Sequence, residues 1–328
     1  VQIGEAEPGS PLLYPDHDYN ASSSAINASF PGSEELYIIA RTEEKGGLKK
    51  PEVIKSLEDF QTHMLNDPEL GGAKGLPDLV KQVNRLLHNN DPRFAQVPHD
   101  EFYVGGLMFA YMASSPIPGA LKEFVNPEET EANMVFYYKD HQGETIRRAV
   151  HMIKSWIDEK GNDIEGLSFH LAGGIIGVTA AINEAVFETN RIVVPAVLVL
   201  IFLFVTFFYG SLHAGWLMFL AMSFATVLSY GYMGFMNIGI NVNTVPIIAV
   251  GIGVGIDYSI YIMDRIREEI LKTDTLQEAI IRAISTTGLA VCVTAGALML
   301  GVIMWVFLSD LRFQSDAAFL LVVMLIFN

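Results

Sequence analysis

The residues most able to carry chemistry lie in one apolar run of the sequence, residues 244–263. Asp257 is the one charged side chain in this run, and Tyr258 and Ser259 follow it directly. An ionisable side chain at the centre of a bilayer costs about 2.5–3.5 kcal/mol or more. Because burial disfavours the ionised form of a carboxyl group, Asp257 is predicted to bind and release protons. The Tyr258 hydroxyl is a candidate donor to the carboxylate or a relay, and Ser259 adds a further hydroxyl nearby.

Three glycines precede Asp257 at alternating positions. Gly251 and Gly255 are four residues apart, so they share one helix face, where small residues allow another helix to approach closely. Gly253 lies one turn before Asp257 and would leave room beside the carboxyl group. Close helix packing alone is a sufficient explanation for the glycines. An acid inside a membrane span instead indicates a functional site by default.

The apolar runs that must position these residues all follow residue 191. Hydrophobic residues form 51% of the chain, and this excess is concentrated in runs of nearly the ~20 residues with which a helix crosses a bilayer. The predicted spans are 192–209, 215–236, 244–263, 287–308 and 317–328. Residues 191–328 are therefore predicted to form an all-α transmembrane bundle. The last span is cut off by the end of the sequence, so we expect the chain to be an excerpt of a longer protein.

The longest connection between spans, residues 264–286, is predicted to be an amphipathic segment on the cytoplasmic face of the membrane. It carries four basic side chains, on Arg265, Arg267, Lys272 and Arg282. The connections on the opposite side carry only Arg312, and cytoplasmic loops are enriched in Lys and Arg. The rule predicts that residues 1–190 are periplasmic, although Arg191 opposes this orientation.

Residues 1–190 have the composition of an acidic, soluble domain. They contain 29 Asp and Glu against 15 Lys and Arg, which leaves a net charge of −14. Nucleic-acid binding is not expected, because it needs clustered basic residues. The chain has a single cysteine, Cys292, so no intramolecular disulfide is expected.

The pattern within residues 1–190 favours an α+β domain. Residues 1–33 are rich in Pro, Gly, Ser and Asn and are predicted to be an extended lead-in. The predicted strands are 35–41, 132–138 and 167–171. The predicted helices are 51–66, 76–87, 100–114 and 144–159, with apolar residues at helical spacing. This order is typical of a split βαβ domain. A last helix, about 175–190, is predicted to run without a break into the first span.

One helix of this domain is rich in aromatic residues and methionine. Phe102, Met108, Phe109 and Met112 could line a path for lipid-like substrates, because such side chains adapt to varied apolar shapes. Such a stripe is more often part of a core. The eight histidines show no metal-ligand spacing, and Gly-Gly-Ala-Lys at 71–74 lacks the phosphate-loop pattern. No metal, nucleotide or other cofactor is therefore expected, and a proton gradient is the natural energy source.

The motif Gly-x-Gly-x-Gly-x-Asp-Tyr at 251–258 resembles the fourth or tenth helix of the resistance–nodulation–division (RND) superfamily. The four charged residues that follow it contribute to the resemblance: Arg265, Arg267, Glu268 and Glu269. It is most similar to the branch with the mycobacterial large membrane proteins (MMPL), the hopanoid exporters and the third hydrophobe/amphiphile efflux family. In that branch an Asp-Tyr pair forms the proton relay, which the resemblance assigns to Asp257 and Tyr258. Eukaryotic sterol-sensing relatives usually carry Asp-Asp there, so Tyr258 favours a bacterial protein.

The resemblance covers essentially the whole chain and extends to the Thr-Thr-Gly stretch at 286–288, which is similar to the start of the family's eleventh helix. It implies that the chain is one of two similar halves, and the Pro-rich lead-in at 8–20 favours the second, C-terminal half. Residues 1–190 would then be a porter-type periplasmic domain of a multi-pass inner-membrane protein. About 190 residues leave no room for a domain that docks to an outer-membrane channel.

Three functions follow from these residues. The first is export of hydrophobic or amphiphilic, lipid-like molecules driven by the proton-motive force, with the missing half of the chain as partner and a homo-oligomer as a compatible assembly. The second is a non-transporting lipid sensor or an accessory factor for protein export. The third, a membrane-embedded enzyme, is not expected, because no second catalytic group accompanies Asp257.

Overall fold

The computed structural model describes residues 3–5, 7–161 and 163–327, and the chain divides into two compact units. We call Ala21–Ala181 the sheet unit. Val1–Asn20 together with Ile182–Asn328 is the helical unit. The fold is mostly helical, with one small sheet among the described residues.

The sheet unit is built on four antiparallel strands among its described residues. They are β1 (Glu34–Thr42), β2 (Leu70–Lys74), β3 (Glu131–Tyr138) and β4 (Leu167–Gly173). Their spatial order is β2-β3-β1-β4, so β1 lies between β3 and β4. This is the arrangement expected of a split βαβ unit, with helices inserted between β2 and β3.

The helices before and around the sheet begin where the sequence supplies a suitable start. They are α1 (Asp18–Ser29), α2 (Pro51–Met64), α3 (Leu76–Leu87), α4 (Glu101–Ser114) and α5 (Gly143–Lys160). Proline is the first residue of α2, a position that needs no backbone N–H donor. The Asp100 carboxylate accepts the Tyr103 N–H at 2.7 Å and caps α4.

The core of the sheet unit lies between one face of the sheet and its helices. Alternate residues of β1 are buried, as expected for a strand with one face on a core. The Phe60 ring of α2 lies at the centre, 5.7 Å from the ring of Phe136, 5.7 Å from that of Trp156 and 5.0 Å from that of Phe169. Helix and sheet are thus joined by aromatic contacts.

Two elements were not predicted. The lead-in was expected to be extended, and this was wrong at α1, whose small polar residues show no apolar period. Asn20, in the first turn of α1, is buried and holds the preceding turn: its side chain accepts the Ser10 N–H at 2.8 Å and donates to Tyr14 O at 2.9 Å. Strand β2, Leu-Gly-Gly-Ala-Lys, also lacks a recognisable alternation.

The helical unit consists of long apolar helices. They are α6 (Gly174–Tyr209), which begins in the sheet unit, α7 (Leu212–Phe235), α8 (Thr244–Ile270), α9 (Leu276–Ala283), α10 (Leu289–Leu308) and α11 (Arg312–Phe327). A π-helical turn at Ile284–Gly288 joins α9 to α10 in one helix of 33 residues. As predicted, α6 continues without a break into the first span.

Among the described residues, four helices are long and apolar enough to cross a membrane. They are α6, α7, α8 and the joined α9–α10 helix, and they contain the first four predicted spans except for Met236, which follows α7. The fifth predicted span, 317–328, overlaps α11, which begins five residues earlier and whose 16 described residues are fewer than the ~20 that cross a bilayer. The predicted amphipathic segment 264–286 contains the end of α8, a short turn and α9.

Candidate functional site

Helix α8 carries the predicted proton site at its midpoint. Asp257 is 13 residues from Thr244 and 13 from Ile270, the two ends of α8. At 1.5 Å per residue, both ends are about 20 Å away along the axis. Because the charged residues from Asp264 onward belong to the predicted cytoplasmic segment, the carboxyl group lies seven residues, or about 10 Å, inside the apolar part of α8.

One face of α8 packs against its neighbours. Gly251 and Gly255 are buried on this face. A Cβ atom at Gly251 would lie 2.5 Å from Sδ and 3.1 Å from Cβ of Met324 in α11. A larger residue at Gly251 would therefore force the two helices apart, so the absence of a side chain fixes how closely they approach.

The opposite face of α8 is exposed. We call it the Asp257 stripe: its residues follow one another at intervals of three or four and are Val250, Gly253, Asp257, Tyr261 and Asp264. A Cβ atom at Gly253 would have no neighbour within 4 Å. Asp257 makes no hydrogen bond or ion pair with a described residue. Tyr258 and Ser259 lie beside the stripe and are half-buried.

The stripe ends in a polar layer near the turn that joins α8 to α9. The Tyr209 O–H at the end of α6 donates to the Asp264 carboxylate at 2.7 Å. One turn further, Arg265 binds Glu269 at 2.7 Å, and the Glu269 side chain is only 5% exposed. This layer ties the ends of α6 and α8 together.

The Thr-Thr-Gly stretch noted in the sequence lies within the π-helical turn Ile284–Gly288. The Thr286 hydroxyl donates to Arg282 O at 2.8 Å. Single π turns inside α-helices occur often at functional sites. Sequence periodicity did not reveal this turn, because one extra residue only shifts the apolar pattern of an otherwise uniform helix.

The apolar residues of α4 divide between core and surface. Met108 is 1% exposed and packs in the core of the sheet unit. Phe102 is 91% exposed and Phe109 64% exposed, and Met112 is also exposed. Gly106 has open space where a side chain would be and lies between Phe102 and Phe109 on the same helix face. The structure therefore leaves three of the four predicted path residues on an apolar surface of the sheet unit.

The sheet unit also contains a buried ion pair that sequence reasoning did not find. The Asp67 carboxylate is fully buried and lies 3.0 Å from Arg148 Nε. The hydrogen bond to Asp67 raises the pKa of Arg148, and burial, followed by the Asp67 charge, raises the pKa of Tyr138. The two partners are 81 residues apart, so no local sequence signal connects them. No cluster of metal ligands occurs among the residues described.

The comparisons with known proteins point to one family. The MMPL family model matches residues 12–327, which is nearly the whole chain. None of the curated proteins matches the chain.

Proposed function

Because the chain belongs to the MMPL family, we propose that it is the C-terminal half of a bacterial inner-membrane exporter driven by the proton-motive force. Family membership and the four apolar helices indicate a membrane transporter of the RND type with lipid-like substrates. We propose further that the exporter carries hydrophobic or amphiphilic molecules and that the coupling ion is the proton. The observation that carries it is Asp257 at the midpoint of α8, exposed and without a partner among the described residues.

The position of Asp257 requires a partner. An ionised carboxylate facing lipid would cost about 2.5–3.5 kcal/mol or more, whereas one that faces protein or enclosed water is tolerated. The Asp257 stripe is not covered by the described helices. We infer that a helix of the missing half covers it and that the pair of helices encloses the carboxyl group, where loss or gain of one proton changes the charge at the contact.

The energy available fits such a change. One elementary charge moved through 100 mV provides about 2.3 kcal/mol. This is comparable to the cost of ionising a carboxyl group away from water. A proton taken up from the periplasm and released to the cytoplasm can therefore drive α8 between two packing arrangements.

Helix α6 provides a route from the proton site to the cargo. Its last residue, Tyr209, binds Asp264 of α8, seven residues after Asp257. The same helix begins at Gly174, directly after strand β4. A shift of α8 would displace the end of α6, and the helix connects this end to Gly174, with Pro195 as the interior position where it can bend.

The exposed apolar face of α4 is our candidate for cargo contact. Phe102, Phe109 and Met112 present aromatic and thioether groups to solvent in a unit that is otherwise acidic. Exposed apolar clusters on soluble domains mark binding surfaces. In this proposal the sheet unit is the periplasmic porter-type domain, and the basic residues of 264–286 are cytoplasmic.

The decisive experiment replaces Asp257 in the full-length protein. Proteoliposomes with an imposed pH gradient and a fluorescent phospholipid as probe report gradient-dependent transport. Asp257→Asn keeps the size of the side chain and removes its charge, and we expect transport to fall at least about 100-fold, or 2.7 kcal/mol. Asp310→Asn, in the loop before α11, is the control and should transport normally.

Unchanged transport by Asp257→Asn at normal expression would remove the proton-relay assignment. If wild-type protein moves no lipid but binds a protein partner in a lipid-dependent way, the chain belongs to a sensor rather than an exporter.

A further inference from the structure

The first described residues of the chain form a strap across two loops of the helical unit. We define the strap as residues 3–13, of which residue 6 is not described. The two loops are 236–243, which joins α7 to α8, and 309–311, which joins α10 to α11. If each helix crosses the membrane, both loops lie on the same side as the start of α6.

The first part of the strap is attached to the loop before α8. Ile3 pairs with Ile240 in a parallel β-bridge, and the Gly4 N–H donates to Ile240 O at 2.9 Å. The Asn241 side chain donates to the Glu5 carboxylate at 3.0 Å. These contacts hold the strap a few residues before the start of α8.

A charged joint follows at the start of α11. Arg312 binds the Glu7 carboxylate, and its Nε atom lies 3.5 Å from Asp316 in the next turn of α11. Arg312 thus links the strap to α11 through one guanidinium group shared by two acids. Such partly exposed ion pairs contribute only about 0–1 kcal/mol, so this joint can be exchanged for water at small cost.

The second part of the strap is held by the start of α1 as well as by the loop before α11. Asn20 fixes the turn that follows Pro8 by its hydrogen bonds to Ser10 and Tyr14, and a further antiparallel bridge joins Leu13 to Leu311. Gly9 has φ +84°, and a Cβ atom there would lie 2.7 Å from Asn20 Oδ1. Gly9 therefore marks the point where this second part of the strap ends.

A polar cavity lies under the strap. Its volume is about 60 Å³, and its lining includes Glu5, Glu7, Asn241, Thr244, Arg312 and Asp316. A space of this size and polarity can hold water. Apolar residues such as Ile247 and Phe313 also line the cavity, so the strap meets the helix ends through a loosely packed contact in which exchangeable hydrogen bonds take part. Regions held in this way open locally at low free-energy cost.

We propose that the strap is a clasp that opens at its Ile240 end and recloses in each transport cycle, with the turn at Gly9 as its hinge. The inference rests on the proposed function, because it takes α8 as the moving element. The strap contacts the chain directly before α8, so a shift of α8 acts on the Ile3–Ile240 bridge first. The Leu13–Leu311 end stays closed throughout.

Two reversible cross-links distinguish the two ends. Bridged residues of neighbouring strands lie about 4.5–5.5 Å apart at Cα, within the range that a disulfide spans. In full-length protein with Cys292→Ser, Ile3→Cys is combined with Ile240→Cys, and Leu13→Cys with Leu311→Cys as the matched control. Transport of the fluorescent phospholipid is measured in oxidised and reduced proteoliposomes.

The clasp predicts that oxidation of the Ile3–Ile240 pair lowers transport at least tenfold and that reduction restores it, while the Leu13–Leu311 pair changes transport less than twofold. Equal transport in the oxidised and reduced forms of the first pair would overturn the clasp. The Cys292→Ser parent with Asp257→Asn, measured in parallel, tests the proton site separately. The transport rate of this variant tests the proposed function and does not depend on the result of the cross-links.

Hydrogen exchange of the unmodified protein provides a second test that needs no cysteine variant to fold. The Gly4 amide is protected by its bond to Ile240 O. Exchange in the peptide that covers residues 3–7 should accelerate at least threefold when a pH gradient and probe are supplied, whereas the peptide around Leu13 should not change. Identical exchange with and without the gradient contradicts an opening clasp.

Discussion

Two aspartates show how differently the two units treat a charge. Asp67 of the sheet unit is fully buried, binds Arg148 at 3.0 Å and accepts the Glu69 N–H at 3.0 Å. Asp257 of the helical unit is exposed and has no partner among the described residues. The sheet unit neutralises its buried charge with its own residues. The helical unit leaves a charge that none of its described residues encloses.

The packing of the two units differs in the same way. Phe60 of the sheet unit is in contact with three aromatic rings from three other elements. Helix α10 is apolar on all sides, yet Ala295 is its one buried residue among those described. A helix that is hydrophobic all round belongs in lipid or against other helices. The sheet unit thus has a packed core of its own. The helical unit has exposed apolar faces that are suited to contact with lipid or with other helices.

The largest effect expected from this contrast is on stability, at Asp67. Asp67→Ala removes the buried carboxylate that binds Arg148 and the Glu69 N–H, and because the Arg148 side chain is 33% exposed and reaches water, we expect a cost of about 1–3 kcal/mol. The thermal unfolding midpoint of the full-length protein, followed by tryptophan fluorescence, should shift down by about 2–6 °C. Asp257→Asn should shift it by less than about 1 °C, because the size of the side chain is kept and no described residue binds Asp257.

The double variant Asp67→Ala with Arg148→Met sharpens this test. It removes the stranded charge together with its partner, and replacing both members of a buried pair is often neutral. We expect it to recover at least half of the lost unfolding temperature. No recovery would mean that the residues contribute by packing and that the contrast between the two aspartates is not one of charge.

The second prediction compares substitutions on the two faces of α8, the packed face at Gly251 and the exposed face at Gly253. Gly251→Val places a side chain against Met324, and overpacking costs about 1–3 kcal/mol. Gly253→Val meets no described atom and should change stability by less than about 0.5 kcal/mol. If a partner helix covers the Asp257 stripe, Gly253→Val should still lower transport. Normal transport by Gly253→Val would argue against such a partner.

These contrasts also show how far the sequence alone could reach. Helix α3 was predicted at its observed bounds and β1, β3 and β4 within two residues, because their apolar periods are regular. Helix α1 and strand β2 were missed because small and polar residues carry no period; α1 is positioned by the tertiary hydrogen bonds of Asn20. Within α4, periodicity could not tell buried Met108 from exposed Phe109, since neighbouring positions differ only in what packs against them.

For the candidate site, the sequence indicated Asp257 and Tyr258 by type and context, since an acid in an apolar run is costly wherever it lies. It could not show which face of α8 is covered, because that depends on α11 and on Met324. It also could not find the Arg148–Asp67 pair or the joint between Arg312 and Glu7, whose partners are distant along the chain. The local sequence pattern identifies the residue whose burial in the membrane costs free energy. Tertiary contacts decide which residues surround it.

A smaller effect is expected at Tyr258. This residue is half-buried beside the Asp257 stripe, and its hydroxyl is the candidate donor to the carboxyl group. Tyr258→Phe removes the hydroxyl and keeps the ring, and we expect about tenfold slower gradient-dependent transport, or 1.4 kcal/mol. Ser259→Ala is the matched control, with a change of less than about twofold. Equal effects of the two variants would assign no special role to the tyrosine.

The smallest effect tests whether the sheet unit, whose core is well packed, also contributes a surface that binds cargo. Phe109→Ser removes an exposed ring, so the unfolding free energy should change by less than about 0.5 kcal/mol. Transport of the fluorescent phospholipid should nevertheless fall about threefold, through weaker apolar contact with the acyl chains. Met108→Ser, one residue earlier, should do the reverse: it destabilises the core by more than about 2 kcal/mol, and its transport per folded molecule is unchanged. If Phe109→Ser transports normally, the cargo surface lies elsewhere. The sheet unit would then contribute stability to the protein, and the residues needed for transport would lie in the helical unit.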